Sequence, residues 1–186
     1  MKLGVLFTGL MLIALDVSAL DQKELSFAPV GGGPDVKMVF KGEILRPTYD
    51  VMKASGASTE SVKPFTDFFR VMYQANLSGK KDSILALWNP SEIQTIAAAI
   101  DDKTLGENTL RFKSLESLKL NMVVEYGKYY ICFLETNYGA QGAFVMKFTV
   151  VKNNGKLLLT NALNGDYFYD NISHFMDKTN FTKKVY

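Results

Sequence analysis

The chain has 186 residues and a formal net charge of +2 at neutral pH. Hydrophobic residues make up 47% of the sequence and charged residues 22%, which is the composition of one globular domain with a sizeable core rather than of a disordered chain. The near balance of charge and the scattered lysines exclude an extended basic surface for nucleic acid.

The N-terminal residues have the pattern of an export signal. A single lysine precedes an apolar run from Leu3 to Leu15, and the small residues Val17-Ser18-Ala19 follow in the order that signal peptidase recognises. The run is shorter than the roughly 20 apolar residues of a membrane span. The alternative is a buried N-terminal helix. We predict a signal peptide over residues 1–19 and a mature protein in the periplasm or outside the cell, with no membrane span.

Residues 20–58 carry weak structural signals, and we predict an N-terminal arm that is partly ordered against the domain. Within this arm, Val36–Ile44 has the composition of a strand, and Arg46-Pro47 is expected to end it.

Helical signals dominate the next segment. Apolar residues recur at helical spacing after Thr59, and Gly79 is expected to end this first helix in a left-handed conformation. A short second helix is predicted over Ser83–Trp88, where Asn89-Pro90 terminates it. A third helix is predicted over Glu92–Ile100.

After Asp101 the periodicity changes from helical to two, which predicts a meander of antiparallel strands. The first strand is expected to be half-buried, with one face toward the core, because two sets of residues alternate along it: Leu118, Leu120, Met122, Val124 and Tyr126 with Lys119, Asn121, Val123 and Glu125. The Asn154-Gly155 pair predicts a tight hairpin between the last two strands. The predicted strands are Leu118–Tyr126, Tyr129–Thr136, Ala143–Lys152 and Lys156–Asn164, with a further strand expected at Thr109–Phe112. We assign residues 59–176 to the domain and 177–186 to a C-terminal tail.

The break between the first two helices carries a resemblance to a known family. Its residues are Gly79, Lys81-Asp82, Leu85 and Leu87-Trp88. The chain from Thr59 to Tyr169 resembles the nuclear transport factor two-like superfamily, which includes SnoaL-like proteins, ketosteroid isomerase and scytalone dehydratase. Lys80-Lys81 departs from the usual break in that superfamily. The resemblance implies an α+β fold of the cystatin-like cone type, with N-terminal helices packed on a curved, mostly antiparallel sheet around a pocket.

Aromatic side chains are the candidate ligand contacts in such a pocket, namely Trp88, Tyr73, Tyr126 and Tyr130. Trp88 is the only tryptophan and ends a short apolar helix, so we expect it to be largely buried against the sheet and to touch the cavity if the cone is hollow. The alternative for all four is packing in the core.

Catalytic signatures are weak. Chemistry of the ketosteroid isomerase type needs a carboxylate base and a hydrogen-bond donor in an apolar pocket. Glu125 and Glu135 lie near tyrosines in sequence, but no spacing selects a pair. Cys132 lies in an apolar run and is expected to pack as a small hydrophobe.

The single histidine, His174, does not make a metal site by itself. Asp166, Asp170 and Asp177 lie near it in sequence, and we expect a solvated C-terminal region there. No metal or other cofactor is expected.

These features predict an exported, noncatalytic binding or accessory protein that holds a small apolar molecule or a protein partner at the cone. The first alternative is an isomerase, dehydratase or cyclase that uses the same pocket. The second is a structural subunit that forms a homodimer through its sheet.

Overall fold

Six strands form one antiparallel sheet whose spatial order follows the chain order. The structure is a computed structural model that describes residues 20–27, 36–170 and 172. The strands are β1 (Gln22–Phe27), β2 (Val36–Asp50), β3 (Ser117–Tyr126), β4 (Tyr129–Asn137), β5 (Ala143–Asn153) and β6 (Lys156–Leu159). The α+β class and the antiparallel sheet are therefore confirmed.

The segment that we expected to be an arm contains both β1 and β2, the first two strands of the sheet. β2 does not end at Arg46-Pro47. It continues to Asp50 through a cis peptide bond at Pro47, and its register with β3 shifts between Ile44 and Tyr49. The helices consequently follow the first two strands in the chain instead of preceding the sheet.

Four α-helices connect β2 to β3. They are α1 (Lys63–Ser78), α2 (Lys81–Leu85), α3 (Ile93–Ala99) and α4 (Asp102–Lys113). Gly79 ends α1 with a positive φ of 62°, as its sequence predicts. The expected strand at Thr109–Phe112 is wrong, because these residues belong to α4. Asp101 caps α4, and its Oδ1 accepts a hydrogen bond from Thr104 N at 2.7 Å.

The predicted hairpin between β5 and β6 is confirmed. Asn153 pairs with Lys156, and the two residues between them have positive φ angles of 48° and 77°. β6 ends at Leu159, before the predicted Asn164, and the next residues bond to both layers: Thr160 N donates to the carbonyl oxygen of Thr149 on β5 at 3.1 Å. Thr160 Oγ1 and Asn161 N both donate to the carboxylate of Glu92.

The sheet has an apolar core on each face. The core under the helices includes Phe65, Phe69, Met72, Leu118, Leu120 and Leu134. The core on the opposite face includes Phe40, Met122, Val124, Ile131 and Phe133. β3 contributes to both cores, so the expectation that Leu118, Leu120, Met122 and Val124 share one face is wrong.

The change of face occurs at Asn121. The β3–β4 register shifts between Leu120 and Met122, which gives β3 one extra residue at this point, as in a β-bulge. Because side chains alternate across a strand, an extra residue moves the later apolar residues to the other face. Asn121 is 1% exposed, and neither polar atom of its side chain has a hydrogen-bond partner in the described part of the chain.

The described residues after β6, 160–170 and 172, form a C-terminal segment that packs on the face of the sheet opposite the helices. Leu163 and Ile172 are buried there, and the ring of Phe168 stacks on Tyr126 with centroids 4.8 Å apart. Lys147 on β5 donates a hydrogen bond to the carbonyl oxygen of Tyr169, and its Nζ lies 4.1 Å from the centre of that ring. Partial burial there lowers the pKa of the Lys147 ammonium group.

Several predictions concern residues outside the described ranges. They are the signal peptide over residues 1–19, the tail over 177–186, and the placement of His174 and Asp177. Among the described residues, no helix combines the length and the apolar character required to cross a membrane.

Candidate functional site

A cavity of ≈ 390 Å³ lies between the four helices and the sheet. Its size is within the range of small-molecule sites, which are mostly apolar and carry a few placed polar groups. The apolar part of its lining includes Ile84, Leu87, Ile96, Ile100, Leu118 and Phe148. Helices and strands both supply these residues, so regular secondary structure holds the walls in place.

Two amides tie the helical walls of the cavity together. Asn76 on α1 is buried, and its Nδ2 donates to the carbonyl oxygen of Met72 at 2.8 Å. Asn108 on α4 donates from Nδ2 to Oδ1 of Asn76 at 2.5 Å. This pair fixes α4 beside α1 and satisfies both polar atoms of the buried amide.

Trp88 lines the cavity, and its backbone joins the short helix to the edge of the sheet. Leu159 N donates to the carbonyl oxygen of Leu87 at 2.7 Å, and Asn89 N donates to that of Leu159 at 2.9 Å. The side chain is half-buried, which is less burial than we predicted. A side chain that borders a cavity packs against protein on one side only, so partial burial fits its place in the wall.

The other three candidate ligand contacts do not belong to the described lining. Tyr73 packs near Phe112, with ring centroids 6.3 Å apart. Tyr130 packs edge-on against Phe65 at 4.9 Å, and burial raises the pKa of its hydroxyl. Of the four residues that the sequence suggested, only Trp88 is at the cavity.

Tyr126 lies on the opposite face of the sheet. Its hydroxyl donates to Asp166 Oδ2 at 3.3 Å, and its ring belongs to the core beneath the C-terminal segment. Desolvation, followed by the Asp166 charge, raises the pKa of this hydroxyl. The contacts of Tyr126 are therefore those of a structural side chain between the sheet and that segment.

Arg111, in the last turn of α4, is the one charged residue in the described lining. Its guanidinium carbon lies 5.9 Å from the centre of the Tyr138 ring, a cation–π distance. Arg111 is exposed, and no carboxylate of the described residues forms an ion pair with it. Arg111 was not among the predicted site residues, because α4 itself was not predicted. The cap at Asp101, followed by polar residues at helical spacing, was the available signal.

The carboxylates considered for catalysis lie elsewhere. Glu135 pairs across the sheet with Lys119, with the two charged groups 3.8 Å apart, and Glu125 pairs with Tyr130 at the far end of β3. The described lining holds no carboxylate, imidazole or thiol, so it offers apolar contact and hydrogen bonding. Cys132 is fully buried, and burial raises the pKa of its thiol well above the usual value.

No cluster of three or more potential metal ligands occurs within the described ranges. Comparisons of the chain with protein-family models, with curated proteins and with solved structures found no match.

Proposed function

We propose that the protein is an exported, noncatalytic binding protein that holds a small apolar molecule in the cavity between its helices and its sheet. The observation that carries this proposal is the ≈ 390 Å³ cavity with its largely apolar lining and Trp88 in its wall. Transfer of hydrocarbon from water into such a site contributes about 0.8 kcal/mol for each methylene group. An apolar molecule of suitable size would thus bind without any catalytic group.

The packing of the helices supports the same proposal. Neither α3 nor α4 contains a fully buried residue, although each contributes side chains to the cavity wall. A bound apolar molecule would give these side chains packing partners that the protein alone does not supply. The cavity would then be a place where a ligand completes the core.

The export part of the proposal depends on residues 1–19, whose charge, apolar run and small residues occur in the order of a signal peptide. We further propose that the domain is a cone of the nuclear transport factor two-like type. The break after Gly79, the short helix before Trp88 and the antiparallel meander that follows support this interpretation.

An isomerase, dehydratase or cyclase in the same pocket is the less favoured function. Ketosteroid isomerase-like chemistry requires a carboxylate base within reach of the substrate. The polar groups of the described lining are amides, hydroxyls and one guanidinium, which suit hydrogen bonding and charge pairing. The lining therefore supports binding better than proton transfer.

Trp88 makes the proposal testable, because it is the only tryptophan in the chain. We expect titration of the mature protein with 1-decanol to change the Trp88 emission saturably. Ala99→Phe should weaken this binding at least tenfold, since Ala99 lines the cavity and a phenyl ring would project into it.

Ala98→Phe is the matched control, because Ala98 is exposed on α3 like its neighbour Ala99 but lies outside the described lining. Its affinity for 1-decanol should equal that of the wild-type protein. The absence of a saturable change in the wild-type protein would contradict the proposal, and so would an equal loss of affinity in both variants.

A further inference from the structure

We infer that the ligand of the cavity is amphipathic, with an apolar chain in the cavity and an anionic head group, a carboxylate or a phosphate, on Arg111. The inference rests on the proposed binding function and names the chemical class of the ligand. It follows from the position of Arg111, from its surroundings and from the absence of other charges in the described lining.

Arg111 lies at the boundary between two spaces. It lines the apolar cavity, and together with Tyr138 it also lines a neighbouring groove of ≈ 510 Å³. Leu110 and Phe144 border that groove and are exposed. A chain in the cavity would therefore reach solvent beside the guanidinium group.

The guanidinium group is available to an anion. Within the described ranges it forms no ion pair, and Glu116, the acidic side chain packed against Gly139, does not bind it. The ring of Tyr138 supports the guanidinium group, which holds the planar fork of donors in place. Arginine binds carboxylates and phosphates through two parallel hydrogen bonds, a geometry that neutral head groups do not match.

The other polar groups of the described lining are uncharged, and several already have partners. The amides of Asn76 and Asn108 bond to each other, and Thr136 donates to the carbonyl oxygen of Phe144 at 3.1 Å. Lys113 shares the last turn of α4 with Arg111 but is not part of the described lining. A charged ligand atom is therefore expected at Arg111 and not elsewhere in the cavity.

The test uses ten-carbon ligands that differ only in the head group: decanoate, decyl phosphate, 1-decanol and decyltrimethylammonium, all below their micellar concentrations. Trp88 emission and isothermal titration calorimetry measure their affinities for the mature protein. We expect decanoate or decyl phosphate to bind about threefold to tenfold more tightly than 1-decanol, the range for an exposed to partly desolvated charge pair. Whichever anion binds more tightly identifies the head group. The cationic ligand should bind most weakly.

Arg111→Gln should remove the preference, so that within this variant neither anion binds more tightly than 1-decanol. Lys113→Gln is the matched control, because it removes one positive charge from the same helical turn without changing the described lining. It should keep the preference. Arg111 is exposed, so its replacement should leave the thermal transition unchanged.

Two results would overturn the inference: equal binding of 1-decanol and both anions to the wild-type protein, or an equal loss of the preference in the two variants. The second result would show that the preference for anionic ligands comes from the overall positive charge of the surface and not from a contact with Arg111. Failure of every ligand, 1-decanol included, would instead contradict the proposed function itself, so the two failures are distinguishable.

Discussion

Replacement of Asn121 by leucine should stabilise the protein. Asn121 occupies the extra position of β3, is 1% exposed, and has two polar side-chain atoms without a partner among the described residues. A buried polar group that lacks a hydrogen bond costs about 1–3 kcal/mol. Leucine has nearly the same shape and no polar atoms. We therefore expect Asn121→Leu to raise the free energy of unfolding by about 1–3 kcal/mol, or the Tm by about 2–4 °C for each kcal/mol in a chain of this size.

Asn76 provides the matched control, because it is also buried but uses both polar atoms, with Met72 and Asn108 as partners. Asn76→Leu should lower the free energy of unfolding by about 1–3 kcal/mol, since it removes these bonds and leaves the amide of Asn108 without one of them. Urea unfolding measures both variants, and an unchanged m value would show that the midpoint shift reports stability. Equal destabilisation by the two substitutions would refute the reasoning and indicate that the Asn121 amide has a partner, such as a buried water molecule.

Three further predictions concern a glycine, the cysteine and export. Gly42→Ala should lower the free energy of unfolding, measured in urea, by about 1–3 kcal/mol or more, because the new Cβ would lie 2.3 Å from a backbone oxygen of β3. Gly106→Ala should raise it by about 0.5–1 kcal/mol, because Gly106 is exposed on α4 and an added Cβ there would meet no atom within 4 Å. Burial raises the pKa of the Cys132 thiol, so the native protein should resist thiol reagents, and rapid labelling at pH 8 would contradict this. The stability of the protein should also fall as the pH rises above about 8.5, because Cys132 loses its proton there in the unfolded chain before it does so in the native protein. N-terminal sequencing of the protein recovered from the periplasm or the medium should begin at or near Leu20, and an uncleaved N-terminus would argue against export.

The sequence predicted the central strands and the last hairpin because their signals are local. An alternating apolar pattern predicts β3, and a continuous apolar run predicts β4, which is buried along most of its length. Asn154-Gly155 adopts the positive φ angles of the tight turn. The exchange of faces within β3 was not predictable in the same way. It depends on the extra residue Asn121, at which the pairing of β3 with both β2 and β4 shifts. Register is a property of a pair of strands, so the sequence of β3 alone does not reveal it.

The strand predicted at Val36–Ile44 is confirmed as the first part of β2, but β1 and the continuation of β2 to Asp50 were not predicted, for a related reason. The strand signal at Val36–Ile44 was visible, but Pro47 is a residue that usually ends a strand in a sheet interior. β2 accommodates it where its pairing with β3 is interrupted, between Ile44 and Tyr49, so the proline removes no regular ladder bond. The arrangement is set by the partner strand, which local sequence patterns do not describe.

The failure to predict α4 and the failure to predict most of the site have one physical cause. Helices are recognised in sequences by an apolar stripe that packs on a core, and α4 contains no buried residue. Its inward side mixes the half-buried Leu105 and Phe112 with polar residues. Thr104, Asn108 and Arg111 lie at the spacing of one helical face, and all three line the cavity. A helix that faces a cavity has no need of a continuous apolar stripe, because the space opposite it is not filled by the protein. The polar and charged residues that weaken the helical signal of α4 are therefore the same residues that give the cavity part of its hydrogen-bonding groups and its one described positive charge.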